Sequence, residues 1–112
     1  MAQAAITHPS FQFTSIQVNV GLASVLHTDD ANIGPSLVVA LGPFTGGQLW
    51  THRAAEGCVL DVRNFAYING RVPHRTLPYA GDRVSIVLFS HSSAASMISR
   101  EAMLLALIVD RC

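Results

Sequence analysis

The chain has 112 residues, of which 50% are hydrophobic and 12% charged, and seven arginines balance seven acidic residues without a single lysine. This length allows one compact domain with a small core, and the lack of a basic excess argues against a nucleic-acid-binding domain. The two cysteines, Cys58 and Cys112, exclude a disulfide-rich scaffold and favour a reduced compartment.

Residues 1–10 show no periodicity and end in His8-Pro9-Ser10, so they are predicted to form a flexible N-terminal arm. They also lack the basic start and long apolar run of a secretory signal. From Phe11 to Val20 apolar and polar residues alternate, and aromatic and β-branched residues are frequent. This pattern predicts a β-strand that ends before Gly21.

A histidine and an aspartate stand two positions apart at the end of the next extended segment. Residues 24–26 lead into His27-Thr28-Asp29, and residues 30–35 are rich in turn formers. Because side chains alternate along an extended chain, His27 and Asp29 share one face. Two imidazoles and one carboxylate suit one face of a ferrous ion and leave its other positions open. The pair is therefore a candidate part of a metal site, to be completed by a second histidine.

Short strands separated by glycine and proline turns are predicted through the middle of the chain. They cover residues 36–41, 48–52, 58–62, 65–68, 71–74 and 83–89. The Asn69-Gly70 pair is a strong hairpin signal, and His74 falls at a strand end. A succession of short strands of this kind predicts an all-β sandwich or jelly roll.

The tail differs from the rest, because residues 93–111 lack glycine and proline and are rich in alanine, leucine and methionine. They predict a C-terminal helix, with serines available as N-caps. Its apolar stretch, residues 102–109, is too short for a membrane span of about 20 residues. The domain organisation expected is an arm (1–10), a core (11–92) and a helix (93–112). We expect a soluble, intracellular protein of the cytoplasm or nucleus, with no membrane partner.

Low charge and a high apolar fraction indicate a partner surface. We therefore expect either a homo-oligomer or a missing flanking domain.

Four motifs then follow one another in the order of a known superfamily. They are His27-x-Asp29, Gly46-Gly47-x-Leu49-Trp50, Asn69-Gly70-x-x-Pro73-His74 and Gly81-Asp82-Arg83-x-Ser85. In this order they resemble the core of the Fe(II)- and 2-oxoglutarate-dependent dioxygenases, over about residues 13–90. The resemblance implies a double-stranded β-helix, which is a jelly roll. The fold class expected is therefore all-β with a C-terminal helix.

The resemblance implies a role for each motif residue. His27, Asp29 and His74 would bind iron, Arg83 would hold the distal carboxylate of 2-oxoglutarate, and Ser85 would hydrogen-bond to that carboxylate. Arg83 begins an otherwise apolar strand, where an unpaired buried charge is costly. A carboxylate ligand would resolve that cost.

Other polar residues have a weaker connection to the motifs. Asn19, on the strand before His27, is a further candidate contact to 2-oxoglutarate or to the substrate. His8, His52 and His91 stand outside the motifs and are expected at the surface.

The function that the resemblance implies is hydroxylation or oxidative demethylation with release of succinate and CO2. The reaction would use Fe(II), 2-oxoglutarate and O2, with ascorbate as a supporting reductant. The substrate stays open between a modified nucleic-acid base and a peptidyl side chain. Two alternatives also stay open: a non-catalytic binding or oligomerisation module with a vestigial metal site, and a cupin-like metal enzyme that needs no 2-oxoglutarate.

Overall fold

The structure is a computed structural model, and it describes residues 10–53 and 56–108. Within these ranges the chain forms nine strands, which are β1 (Ser15–Val20), β2 (Asn32–Leu41), β3 (Phe44–Gly46), β4 (Leu49–Arg53), β5 (Glu56–Leu60), β6 (Ala66–Ile68), β7 (His74–Thr76), β8 (Tyr79–Gly81) and β9 (Val84–His91). Two 3-10 helices cover Val62–Asn64 and Ser92–Met97, and one α-helix, α1, covers Arg100–Ile108. The expectation of an all-β chain with a C-terminal helix is confirmed.

The strands form two main antiparallel sheets and one short pair. The larger sheet has the order β1-β9-β2-β6, the smaller has the order β5-β4-β7, and β3 pairs with β8. Both main sheets contribute to the largest core cluster, in which Val38 and Ile68 of one sheet meet Leu49 of the other. The two sheets therefore pack face to face around an apolar centre.

The long strand β2 lies at the centre of this arrangement. Residues 36–40 are buried without interruption, as expected for a strand that is covered on both faces. One face meets the core between the sheets, and α1 packs against the same strand. The helix begins after Ser99, whose Oγ accepts a hydrogen bond from the amide of Ala102 at 3.1 Å. Ala102 and Leu105 are the buried residues of its inner face.

Several predicted boundaries are wrong, and the reason is tertiary pairing. The strand predicted at residues 71–74 lies instead at His74–Thr76, because Asn69 continues into a turn that the Val72 amide closes on its carbonyl at 3.0 Å. Strands β3 and β8 were predicted as turns. They pair with each other across more than 30 residues of sequence, a contact that local composition does not encode.

The predicted start of the C-terminal helix is wrong. The helix begins at Arg100 and not at residue 93, since residues 92–97 form a 3-10 turn with non-helical backbone at Ala94. The end predicted at residue 111 and the arm at residues 1–9 lie outside the described residues.

Cys58 is buried in β5 and disulfide-bonded, which is not the reduced state that the cysteine count favoured. Over the described ranges, no helix has the length and apolarity needed to cross a membrane.

Candidate metal centre

Backbone hydrogen bonds hold His27, Asp29 and His74 beside one another. His27 and His74 form an isolated antiparallel bridge in which each amide donates to the other's carbonyl at 3.0 Å. Two residues further on, the amide of Asp29 donates to the carbonyl of Gly70 at 2.7 Å. The segment that contains His27 therefore extends the smaller sheet beyond β7, and it brings residues 47 positions apart into register.

The same backbone sets the orientation of both imidazoles. Nδ1 of His27 lies 2.6 Å from the carbonyl oxygen of Val25, and Nδ1 of His74 lies 2.8 Å from that of Val72. A carbonyl only accepts, so each Nδ1 bears the proton and donates it. In the neutral rings, each Nε2 then has a free lone pair for a ligand. This is the arrangement by which backbone partners fix metal-binding histidines.

Asp29 faces both of these Nε2 atoms. Its Oδ1 lies 3.5 Å from Nε2 of His27, and its Oδ2 lies 3.3 Å from Nε2 of His74. The candidate ligand atoms of the three residues all lie within 4.8 Å of one another. Two imidazole nitrogens and a carboxylate that converge in this way offer a set of donors to a cation. Two histidines and one carboxylate are the donors of non-haem ferrous sites, so the residues fit iron.

Gly70 lies beside Asp29 and Asn32. In the sequence it was identified as a turn former within the Asn69-Gly70-x-x-Pro73-His74 motif. A Cβ atom at this position would lie 3.5 Å from Oδ2 of Asp29 and 3.1 Å from Nδ2 of Asn32. The backbone amide of Asn32 in turn donates a hydrogen bond to the carbonyl of Asp29 at 3.0 Å. The absence of a side chain at Gly70 therefore leaves room for Asn32, while the carboxylate of Asp29 would be in ordinary contact with a Cβ there. The Asn-Gly spacing relative to His74 was the available signal.

Arg83 is a buried cation on the other side of the same cavity. Only 4% of its surface is exposed, and its Nη2 donates to the carbonyl of Gly47 at 3.0 Å. The guanidinium carbon lies 5.5 Å from the ring centres of both Phe44 and Tyr79. Gly47 has a φ of +71°, and a Cβ there would lie 2.9 Å from Nε of Arg83. A glycine is therefore required where the arginine passes.

The charge of Arg83 is incompletely satisfied. Its Nε is buried and has no hydrogen-bond partner in the described part of the chain, and none of the ion pairs formed there involves it. Burial lowers the pKa of the guanidinium from its usual value, and the neighbouring Tyr79 opposes that shift. An arginine remains charged under these conditions, so the site has a fixed positive charge whose donors are available to an anionic ligand.

Ser85 and Asn19 continue the polar lining from Arg83. Ser85 lies opposite Asn19 in the pairing of β1 with β9, and Nδ2 of Asn19 donates to Oγ of Ser85 at 3.3 Å. Nε2 of Gln17 donates to Oδ1 of Asn19 at 3.1 Å. Ser85 is buried, whereas Gln17 is exposed at the edge of the sheet. These two hydrogen bonds thus link the buried Ser85, through Asn19, to the exposed Gln17.

These groups surround one cavity of about 320 Å³ between the two main sheets. All six site residues predicted from the sequence line it, namely His27, Asp29, His74, Arg83, Ser85 and Asn19. Their roles as ligands stay predictions. Gln17, Ser24, Asn32 and Thr76 also line the cavity. The position of Asn32 just past Asp29 allowed either a turn residue or a substrate contact, whereas none of the four motifs contains the other three. His52 and His91 are exposed, as expected, and His8 lies outside the described residues.

Comparison with other proteins supports the fold. The sequence matches no model of a protein family and no curated protein sequence. The structure is similar to the crystal structure of an oxidoreductase of the 2OG-Fe(II) oxygenase family from Burkholderia pseudomallei, with a TM-score of 0.59 and 23% identity. The match covers 74% of this chain and 46% of that one, so the chain spans about half the length of the oxygenase. At this identity the likeness shows the fold, which is the jelly roll that was expected.

Proposed function

We propose that this chain is an Fe(II)- and 2-oxoglutarate-dependent oxygenase that hydroxylates or oxidatively demethylates its substrate. The observation that supports this best is the content of a single cavity. It holds a convergent set of two histidines and one carboxylate together with a buried arginine whose Nε has no partner among the residues that the structure describes. A buried arginine donor without a partner is costly in a structural core, and an anionic ligand would remove that cost.

In this proposal His27, Asp29 and His74 hold the iron through the two Nε2 atoms and the carboxylate. The carbonyls of Val25 and Val72 keep both rings in the required tautomer. When bound, ferrous iron together with 2-oxoglutarate would supply the oxidation of a substrate C–H bond by O2. Succinate and CO2 would be the products of 2-oxoglutarate. The protein contributes the ligands, the orientation of the reactants and a shielded cavity.

Arg83 holds the distal carboxylate of 2-oxoglutarate, and Ser85 donates a hydrogen bond to it. The guanidinium has free donors for this ion pair, and Phe44 and Tyr79 enclose it on two sides. In this dry environment a charge-assisted pair is stronger than it would be in water. Asn19 orients Ser85 through its own hydrogen bond.

The oxidised substrate is a modified nucleic-acid base or a peptidyl side chain. The formal net charge of zero weighs against tight binding of a polyanion by this chain alone. Ascorbate would act as a supporting reductant that keeps the iron ferrous.

The test is succinate formation from 2-oxoglutarate by the iron-loaded chain, with panels of methylated oligonucleotides and of peptides. We expect succinate to form with iron and O2, and a substrate from one panel to raise its rate. Ser85→Ala should lower the apparent affinity for 2-oxoglutarate, whereas Ser96→Ala, at an exposed position outside the cavity, should not. Iron binding without succinate formation would instead favour the non-catalytic module. Turnover without 2-oxoglutarate would favour the cupin-like enzyme.

A further inference from the structure

One stretch of the chain presents an unusual surface. Of the eleven large hydrophobic side chains that are exposed in the described residues, seven lie between Phe13 and Leu26. The sequence from Phe11 to Leu26 contains no charged residue. Single exposed hydrophobic residues are normal, but a group of this kind marks an interaction surface.

The middle of this stretch is β1, which is the edge strand of the larger sheet. The amide of Gly21 donates to the carbonyl of Arg83 at 2.8 Å, in register with the pairing of β1 and β9. Because bonded and non-bonded positions alternate in an antiparallel pair, the backbone groups of Ile16, Val18 and Val20 point away from β9. They form an open row of donors and acceptors that suits another extended strand.

Nothing in β1 protects this edge. Natural edge strands are usually blocked by lysine, proline, an inward-pointing charge or a bulge. The six residues of β1, Ser15–Val20, contain no proline and no charge, and they pair with β9 in unbroken register. The side chains of Ile16, Val18 and Val20, on the face of the sheet opposite the cavity, are all apolar and exposed. Over residues 10–53 and 56–108, β9 is the one strand that pairs with β1, so the other edge of β1 is open to pairing along its full length.

The side-chain pattern of β1 is also complementary to a second, antiparallel copy of the same strand. If a second copy of the strand is placed antiparallel with the twofold axis at Val18, Ile16 lies opposite Val20 of the other copy. On the opposite face, Gln17 lies opposite the other copy's Asn19. Apolar side chains then meet on the outer face and amides meet on the cavity face, and both are favourable cross-strand pairs. In this register the open backbone groups of one edge also face those of the other.

We infer that the chain forms a homodimer in which β1 pairs antiparallel with β1 of a second copy. The two four-stranded sheets become one continuous sheet of eight strands, and the interface is isologous. The zero net charge adds no long-range repulsion between the copies. This inference is independent of the metal and goes beyond the proposed function.

The pairing also affects the cavity, since Gln17 and Asn19 both line it. In the dimer, Gln17 of one copy meets Asn19 of the other at the open side of the cavity. Each cavity would therefore be completed by an amide from the second copy, beside the Asn19–Ser85 hydrogen bond. The outcome of the dimer test does not depend on whether iron or 2-oxoglutarate binds.

The test is sedimentation of the full chain over a series of concentrations, with two matched variants. Val18 and Val59 are exposed to 57% and 56%, and both lie on edge strands, β1 and β5. We expect a dimer that Val18→Lys converts to a monomer, with about a twofold drop in mass, and that Val59→Lys leaves intact. A wild-type monomer at every concentration would overturn the inference. Equal dissociation of both variants would also overturn it.

Cross-linking provides a second measurement that does not depend on how the lysine variants fold. Val18→Cys should give a covalent dimer with a short bismaleimide, because the twofold axis places the two side chains opposite each other. Val59→Cys should not. Absence of the Val18→Cys dimer, or equal cross-linking of both variants, contradicts the pairing. Slow amide hydrogen exchange at Ile16 and Val20 in a monomer would mean that another segment covers β1, and this too would overturn the inference.

Discussion

Replacing Arg83 with methionine should separate the stability of the protein from its ability to bind 2-oxoglutarate. Methionine keeps an unbranched apolar stem and removes the guanidinium. In the structure the guanidinium makes one hydrogen bond, to the carbonyl of Gly47, and its Nε is buried without a partner in the described residues. The charge is therefore expected to cost stability until a ligand pairs with it.

The magnitude follows from these contacts. Removing a buried unsatisfied donor gains about 1–3 kcal/mol, and burial of the charge itself adds to that gain. Against this, the variant loses the bond to Gly47, about 1 kcal/mol, and the contacts of the cation with the rings of Phe44 and Tyr79, about 0.5–1 kcal/mol each. These opposing contributions nearly cancel, so we expect the free energy of unfolding of the ligand-free Arg83→Met protein to stay within about 2 kcal/mol of the wild-type value.

Urea unfolding with and without 2-oxoglutarate is the assay, with ferrous iron present and oxygen excluded. At a concentration about 100 times its Kd, a ligand stabilises the native state by about 2.7 kcal/mol. Wild-type protein should show this gain, and Arg83→Met should not. Arg63→Met is the matched control, because exposed Arg63 also contacts the Phe44 ring, at 4.0 Å. It should lose about 1–2 kcal/mol, for this ring contact and for the hydrogen bond that Nη2 of Arg63 donates to the carbonyl of Phe44, and keep the gain from the ligand.

Two results would refute this reasoning. A loss of more than about 2 kcal/mol in ligand-free Arg83→Met would mean that the guanidinium is a structural group that is already satisfied. A full gain from 2-oxoglutarate in that variant would mean that the co-substrate binds elsewhere.

Three further variants test the neighbouring contacts. Gly70→Val should weaken iron binding by about tenfold or more, because its Cβ would lie only 3.1 Å from Nδ2 of Asn32 and its two methyl groups would need further room beside Asp29; unchanged affinity in a titration would contradict the crowding. Thr76→Val should cost about 1–2 kcal/mol in urea unfolding, because it removes the hydrogen bonds that Oγ1 of Thr76 makes with the hydroxyl and the backbone amide of Ser24, at 2.9 Å and 3.2 Å; a neutral result would show that these bonds add nothing. Asn19→Ala should weaken 2-oxoglutarate binding by about 3- to 10-fold in calorimetry without changing iron affinity, and a loss of iron binding would contradict its assigned role.

Much of the candidate site could be predicted because its residues stand in short motifs with characteristic spacing. The two-residue step from His27 to Asp29 predicted a shared face, and the structure places both beside His74. The apolar start of β9 predicted that Arg83 would be buried, and it is. In both cases a local rule, period-two alternation or the cost of a buried charge, was sufficient.

What could not be predicted depends on contacts between distant segments. Strands β3 and β8 are three residues each and exist because they pair with each other. Gly70 contributes through the space that it leaves beside Asn32, which its turn propensity does not reveal. Tyr79 encloses Arg83 from β8, and no motif in the sequence marks it. Tertiary context decided each of these features.

The measurement that tests the metal site most directly is an anaerobic titration of the protein with ferrous iron. We expect one equivalent to bind, with binding lost in Asp29→Asn, since the amide keeps the size of the side chain and removes its charge. Asp30→Asn, at the exposed neighbouring position, should bind iron like the wild type. No binding by the wild type, or equal binding by Asp29→Asn, would contradict the assignment of His27, Asp29 and His74 as the iron ligands.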